Sequence, residues 1–118
     1  MKEKTKATLM KMSNYCNKIF EYIKDMDFVS FSQDTKTVEA CVFNLSQIGE
    51  LVQYLDPDFL TITHQINWQG VKGLRNRIVH DYDGIKINTI WQLINEDLHE
   101  LLHVVDRQTQ KLDQDQQR

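Results

Sequence analysis

The 118-residue chain holds a single proline and only four glycines. So few breakers leave little room for the many tight turns of a β-sandwich or barrel; they favour a handful of long helices. Two cysteines cannot build a disulfide framework. Cys16 and Cys41 are read as reduced, buried thiols, with a Cys16–Cys41 bridge as the alternative. No Cys-x-x-Cys or Cys/His cluster suggests zinc, so neither metal nor cofactor is expected. No stretch approaches the ~20 apolar residues of a membrane span. The segment from Met1 to Lys6 lacks the apolar run of a signal peptide, and a cytoplasmic location without membrane partners is the expectation. Strong charge of one sign is missing too. The formal net charge is -3, which by itself does not announce a nucleic-acid binder.

What the sequence does have is helical periodicity. Leu9, Met12, Cys16, Ile19, Ile23 and Met26 step alternately by three and four. Val38, Cys41, Leu45, Ile48, Val52 and Leu55 do the same, as do Ile87, Trp91, Ile94, Leu98, Leu101 and Val105. This spacing lines one face of a 3.6-residue helix. It predicts helices near 5–26, 33–55 and 87–108, and Trp68, Val71, Leu74 and Ile78 suggest a shorter one near 67–80. The punctuation agrees. Ser30, Ser32 and Asp34 can cap the second helix, Asp56-Pro57-Asp58 ends it, Asn67 can cap the third and Asn88 the fourth, and Gly84 stops the third. The fold class is all-α, an antiparallel helical bundle of about four helices. One domain spans 1–110. The tail 111–118 has only Leu112 as an apolar residue and is expected to fray.

The modest net charge is a sum over unlike segments. Residues 1–24 carry six Lys against two Glu, and residues 25–58 carry seven acids against one Lys. Residues 59–80 carry Lys72, Arg75 and Arg77 with no acid, together with His64 and His80. A local positive field there attracts an anion such as phosphate.

Chemistry concentrates at the end of that stretch, from Gly73 to Gly84. Arginine offers a rigid fork of donors that fits phosphate oxygens. Histidine exchanges a proton near neutral pH, and tyrosine adds a hydroxyl. Chance alone yields Arg-x4-His about 0.1 times in a chain of this composition, and about 0.005 times once a Tyr two residues on is required. On a continuous helix Asn76 and His80 share a face, and Arg77 stands three residues before His80. Arg75 is about 140° round from His80. The two converge on one atom only if the helix loosens or if two copies of the segment meet across a two-fold axis. His64 reads as a solvated loop residue. His99 and His103 have i,i+4 metal spacing but no third ligand nearby, and Trp68 and Trp91 read as core.

The run Arg75, Asn76, His80, Tyr82 resembles the minimal nucleases and toxins of the HEPN superfamily, most closely the HepT-like branch. Its motif is Arg, a polar residue, three more, then His, with Tyr two positions on. Asn44-Leu45-Ser46-Gln47-Ile48-Gly49-Glu50 is similar to the second-helix segment of that branch. Asn67-Trp68, Ile90-Trp91, and Asn95-Glu96-Asp97-Leu98 also match it, and the resemblance covers roughly 5–108. It implies a helical-bundle homodimer with a cleft at the interface. It implies a metal-independent endoribonuclease, the toxin of a toxin–antitoxin pair, whose antitoxin is a small MNT-type nucleotidyltransferase that transfers AMP to Tyr82. Arg75 and His80 would be catalytic, with RNA as substrate. Asn76, Arg77, Tyr82 and Glu50 would support them. Read from the residues themselves, Glu50 is expected to reach the cleft and hold an arginine, and Gly49 to permit close helix packing. A rival reading makes the chain a non-catalytic nucleotide-binding or substrate-binding partner of the nucleotidyltransferase.

Overall fold

The computed structural model describes residues 2–116, without the side chains of Lys2, Asp81, Tyr82 and Gln116. Its helices follow the apolar stripes, and the all-α bundle read from the sequence is what the structure shows. The first helix, α1, runs Lys2–Tyr22. It closes through a turn at Asp25, whose φ of 63° lies in the left-handed region. A short polar side chain tolerates that conformation, so the chain turns there without a glycine.

The second helix, expected over 33–55, is present with a 3-10 extension, and the stretch ahead of it forms a further short helix. A short helix, α2 (Phe28–Gln33), starts at a capping box in which Asp27 accepts from the Ser30 N–H while the Ser30 hydroxyl accepts from the Asp27 N–H. Ser30 therefore sits inside α2 rather than capping the next helix. Asp34, one of the expected caps, separates α2 from α3 (Thr35–Leu51) and caps the latter by accepting from the Thr37 N–H at 3.1 Å. A 3-10 turn, Val52–Tyr54, then tightens the end. Asp56-Pro57 both terminates this region and starts a helix absent from the sequence reading, α4 (Pro57–Ile62), with proline in its first turn. Six residues carry too little periodicity to betray it, yet it buries Phe59.

The motif helix, α5, runs unbroken from Trp68 to Asp81, followed by a 3-10 turn at Tyr82–Gly84. Asn67 caps it by accepting from the Gly70 N–H. The helix expected over 87–108 is two: α6 (Ile87–Asn95) and α7 (Asp97–Gln116). The apolar stripe passes through the break without a missed step, which hides it from periodicity. The break falls where Asn95 turns its side-chain amide back onto the Trp91 carbonyl, ahead of Glu96 and Asp97. Lys86, not Asn88, holds the cap position of α6, with no side-chain bond.

Three of these helices make the core. Lys6 meets Asp113, Ser13 meets Asp106 and Phe20 stacks on His99. Each step of seven along α1 is thus matched by seven back along α7, the register of antiparallel helices packed by heptads. That pairing also explains the C-terminus. The polar stretch past Lys111, expected to fray, stays helical to Gln116 because α1 lies beside it and Leu112 packs half-buried against the core. On its other side α1 packs on α3. Leu9, Met12, Cys16, Ile19, Cys41, Leu45, Ile48 and Val105 are almost wholly excluded from water between them, and Ile94 of α6 is equally buried.

Both cysteines are free thiols in this core, and burial pushes each up to about 12. Trp68 is buried with its indole N–H donating to the Thr63 hydroxyl at 3.0 Å, and Trp91 packs against Phe31. No helix among the described residues is long and apolar enough to cross a membrane.

Candidate active site

The acid-free stretch becomes α5, and α5 is held differently from the core helices. Its stripe of Val71, Leu74 and Ile78 is only half-buried, and it rests on α3. The contact is close because of Gly49. A Cβ there would stand 2.7 Å from the Val71 carbonyl oxygen and 3.3 Å from Arg75 Cβ. Only glycine lets the two backbones meet at the level of Arg75.

That approach puts the next residue of α3 beside the motif. Glu50 Oε2 lies 3.2 Å from Arg75 Nε. Arg75 Nη1 donates to Asn76 Oδ1 at 3.2 Å. The bond orients the Asn76 amide, turning its NH2 away from the guanidinium as a free donor. Arg75 remains nearly half exposed, and Asn76 and His80 are exposed. Three guanidinium hydrogens are left after Glu50 and Asn76 are served, enough to fork onto a phosphate.

His80 does not join this cluster within one chain. The helix stays regular through Asp81, so His80 points about 140° away from Arg75 while sharing a face with Asn76. Among the described residues, its ring makes no hydrogen bond or ion pair. Arg77 is about 200° round from Arg75. It lines a separate groove of about 400 Å³, floored by Leu45, Ile48, Leu74 and Leu101, with Asp97 and Glu100 across it. Nothing in the residue pattern signals this groove, since it forms where α5 and α7 stand apart. The Tyr82 side chain lies outside the described residues.

The remaining histidines stand apart. His64 is exposed in the turn between α4 and α5, and His99 stacks on Phe20 with ring centroids 4.3 Å apart. Among the described residues, no three His, Cys, Asp or Glu side chains converge as a metal site.

The chain belongs to the ribonuclease HepT-like family, which it matches over residues 12–107, and its all-α bundle is consistent with that class. A protein of Methanocaldococcus jannaschii, "Putative RNase MJ0127", is 33% identical over 93 residues, covering 79% of this chain and 77% of the relative. A second from that organism, "Putative RNase MJ1380", is 31% identical over 97 residues, 82% of this chain and 89% of the relative. "Probable ribonuclease HepT" of Thermococcus cleftensis is 28% identical over 101 residues, 86% and 92% of the two chains. No solved structure matches the chain significantly.

Proposed function

We propose that this chain is the toxin of a toxin–antitoxin pair, a metal-independent endoribonuclease that works as a homodimer. The observation that carries the reading is the half-exposed Arg75, already oriented by Glu50 and Asn76, on the same helix as an exposed His80. An anion clamp and a proton-transfer group are the two functions that phosphodiester transesterification requires. His80 removes the proton of a ribose 2′-OH. The O2′–P bond forms while P–O5′ breaks, leaving a 2′,3′-cyclic phosphate. His80 of the partner subunit returns a proton to O5′. Arg75 and the Asn76 amide bind the phosphate oxygens as negative charge grows on them.

A dimer supports this chemistry because one regular helix cannot aim both groups at one atom. The face of α5 that bears Asn76, Val79 and His80 is open. Val79 is 56% exposed, and a Cβ at Gly73 would meet nothing within 4 Å, so a second copy of α5 can approach closely there. Phe43, also exposed, adds apolar surface on α3. The antitoxin is an MNT-type nucleotidyltransferase. The Tyr82 hydroxyl attacks the α-phosphate of ATP, pyrophosphate leaves, and the attached AMP puts a bulky anion in the cleft.

Purified chain incubated with RNA in EDTA tests the reading. Wild type cleaves and leaves cyclic phosphate ends, while Arg75→Ala and His80→Ala do not. Intact RNA with the wild-type protein overturns it and favours a non-catalytic partner of the nucleotidyltransferase. Light scattering that shows only monomer overturns the composite cleft. A Tyr82 peptide with no added AMP mass after exposure to the antitoxin and ATP overturns the modification.

A further inference from the structure

We propose that Glu50, itself held by Gln53, is a positioning residue that presets Arg75 for phosphate; the proposal rests on reading Arg75 as the phosphate clamp. Both carboxylate oxygens of Glu50 are engaged. Oε2 faces Arg75 Nε at 3.2 Å, and Oε1 accepts from Gln53 Nε2 at 2.7 Å. The same Gln53 nitrogen also donates to the Glu50 backbone carbonyl at 3.0 Å. Gln53 thereby ties the Glu50 carboxylate to its own main chain and limits its rotamers. Gln53 lies in the 3-10 turn that ends α3, so the tightening of that helix end is what brings it back over Glu50.

The arrangement forms one chain from α3 to the motif: Gln53 to Glu50, Glu50 to Arg75, Arg75 to Asn76. Its geometry separates positioning from blocking. Glu50 takes the Nε edge of the guanidinium and Asn76 takes one Nη1 hydrogen. The remaining Nη1 and Nη2 hydrogens stay available, so phosphate can dock without displacing Glu50. A long, rotamer-rich side chain fixed at both ends loses less freedom on binding its anion than a free one. Gly49 supplies the foundation, since its missing Cβ sets α3 against the backbone of Arg75 and so sets the reach of Glu50.

Electrostatics makes the test sharp. Glu50 is an acid beside an RNA-binding arginine, so removing its charge alone strengthens RNA binding. Removing a positioning residue weakens it. Binding of a fully 2′-O-methylated RNA, which cannot be cleaved at its 2′ position, is measured for the full chain. Glu50→Ala weakens binding about 5-fold, the scale of a surface-exposed ion pair. Gln53→Ala weakens it about 2-fold, and Glu50→Gln, which keeps an acceptor, restores most of the loss. In an Arg75→Ala background Glu50→Ala no longer weakens binding, because its positioning role acts through Arg75 and only the loss of its negative charge remains.

The Arg75 Nε–H resonance supplies a readout independent of RNA. It is shifted and slow to exchange in wild type and loses both properties in Glu50→Ala. Tighter RNA binding by Glu50→Ala, an undiminished effect in the Arg75→Ala background, or an Nε–H signal indifferent to Glu50 each overturns the proposal. Failure of the wild-type protein to bind or cleave RNA overturns the phosphate role of Arg75 instead, while the resonance still reports whether Glu50 holds it.

Discussion

The stack of α1, α3 and α7 and the motif helix α5 are built from the same kind of apolar stripe but are held to different degrees. Each stack helix has neighbours on at least two sides, and its stripe is almost dry. The α5 stripe is half-buried against α3, and the opposite face is open. Complete burial makes the stack a fixed platform. Partial burial leaves α5 an open face, the one proposed above to meet a second copy and substrate. The proposed site sits on the less supported element, where the ion pair to Glu50 ties Arg75 to α3.

Substitutions in the two regions should therefore separate activity from stability. The largest effect is expected at the motif. Arg75→Ala and His80→Ala each lower RNA cleavage by at least ~100-fold, the usual scale for a positioned proton-transfer or charge-stabilising group. Their thermal melts match wild type, since both side chains reach solvent. A melt that collapses along with activity would erase the distinction between platform and motif.

Next in size is the core. Ile19→Ala removes a fully buried side chain from α1 and costs about 2–5 kcal/mol by denaturant unfolding. Leu74→Ala, on half-buried α5, costs less than half as much. Equal losses would show that α5 is as firmly seated as the stack. Gly49→Ala lies between the regions and should disturb both. The new methyl would stand 2.7 Å from the Val71 carbonyl, so α3 and α5 must part, at a cost of about 1–3 kcal/mol. Cleavage falls beyond what the stability loss explains, because Glu50 is carried away from Arg75.

The smallest effect is at the caps of α2 and α3. The Ser30 N–H holds the Asp27 carboxyl below the usual range, and the Thr37 N–H does the same for Asp34. A carboxyl lowered on folding stabilises at neutral pH, and that contribution is lost as acid protonates it. Asp34→Ala should melt slightly earlier than wild type at pH 7, with the gap closing as pH falls through the carboxylate range. A gap that persists in acid would assign the loss to something other than the charged cap.

Much of this was legible in the residues. The stripes on α1, α3 and α7 name the core because an amphipathic helix has one way to hide its apolar face. The breaks were not legible. Ile94 and Leu98 keep step across Asn95–Asp97, and an apolar pattern cannot report a backbone interruption that leaves its phase intact. Arg75, Asn76 and His80 were visible as chemistry-bearing residues from their types and spacing. An arginine partner for Glu50 was legible, but that the arginine is Arg75 was beyond reach of spacing, since Glu50 lies on a different helix. Nor could spacing show that Arg77 turns into the groove beside Asp97 and Glu100.

The sequence by itself determined the all-α class, the buried stripes and the candidate residues for the chemistry, because helix period and side-chain type are local properties. Only the tertiary structure decided which side chains meet. Gly49 let two backbones touch, the touch brought Glu50 to Arg75, and an unbroken α5 kept His80 turned away from both. Those outcomes depend on how helices pack against one another, and no stretch of chain encodes that alone.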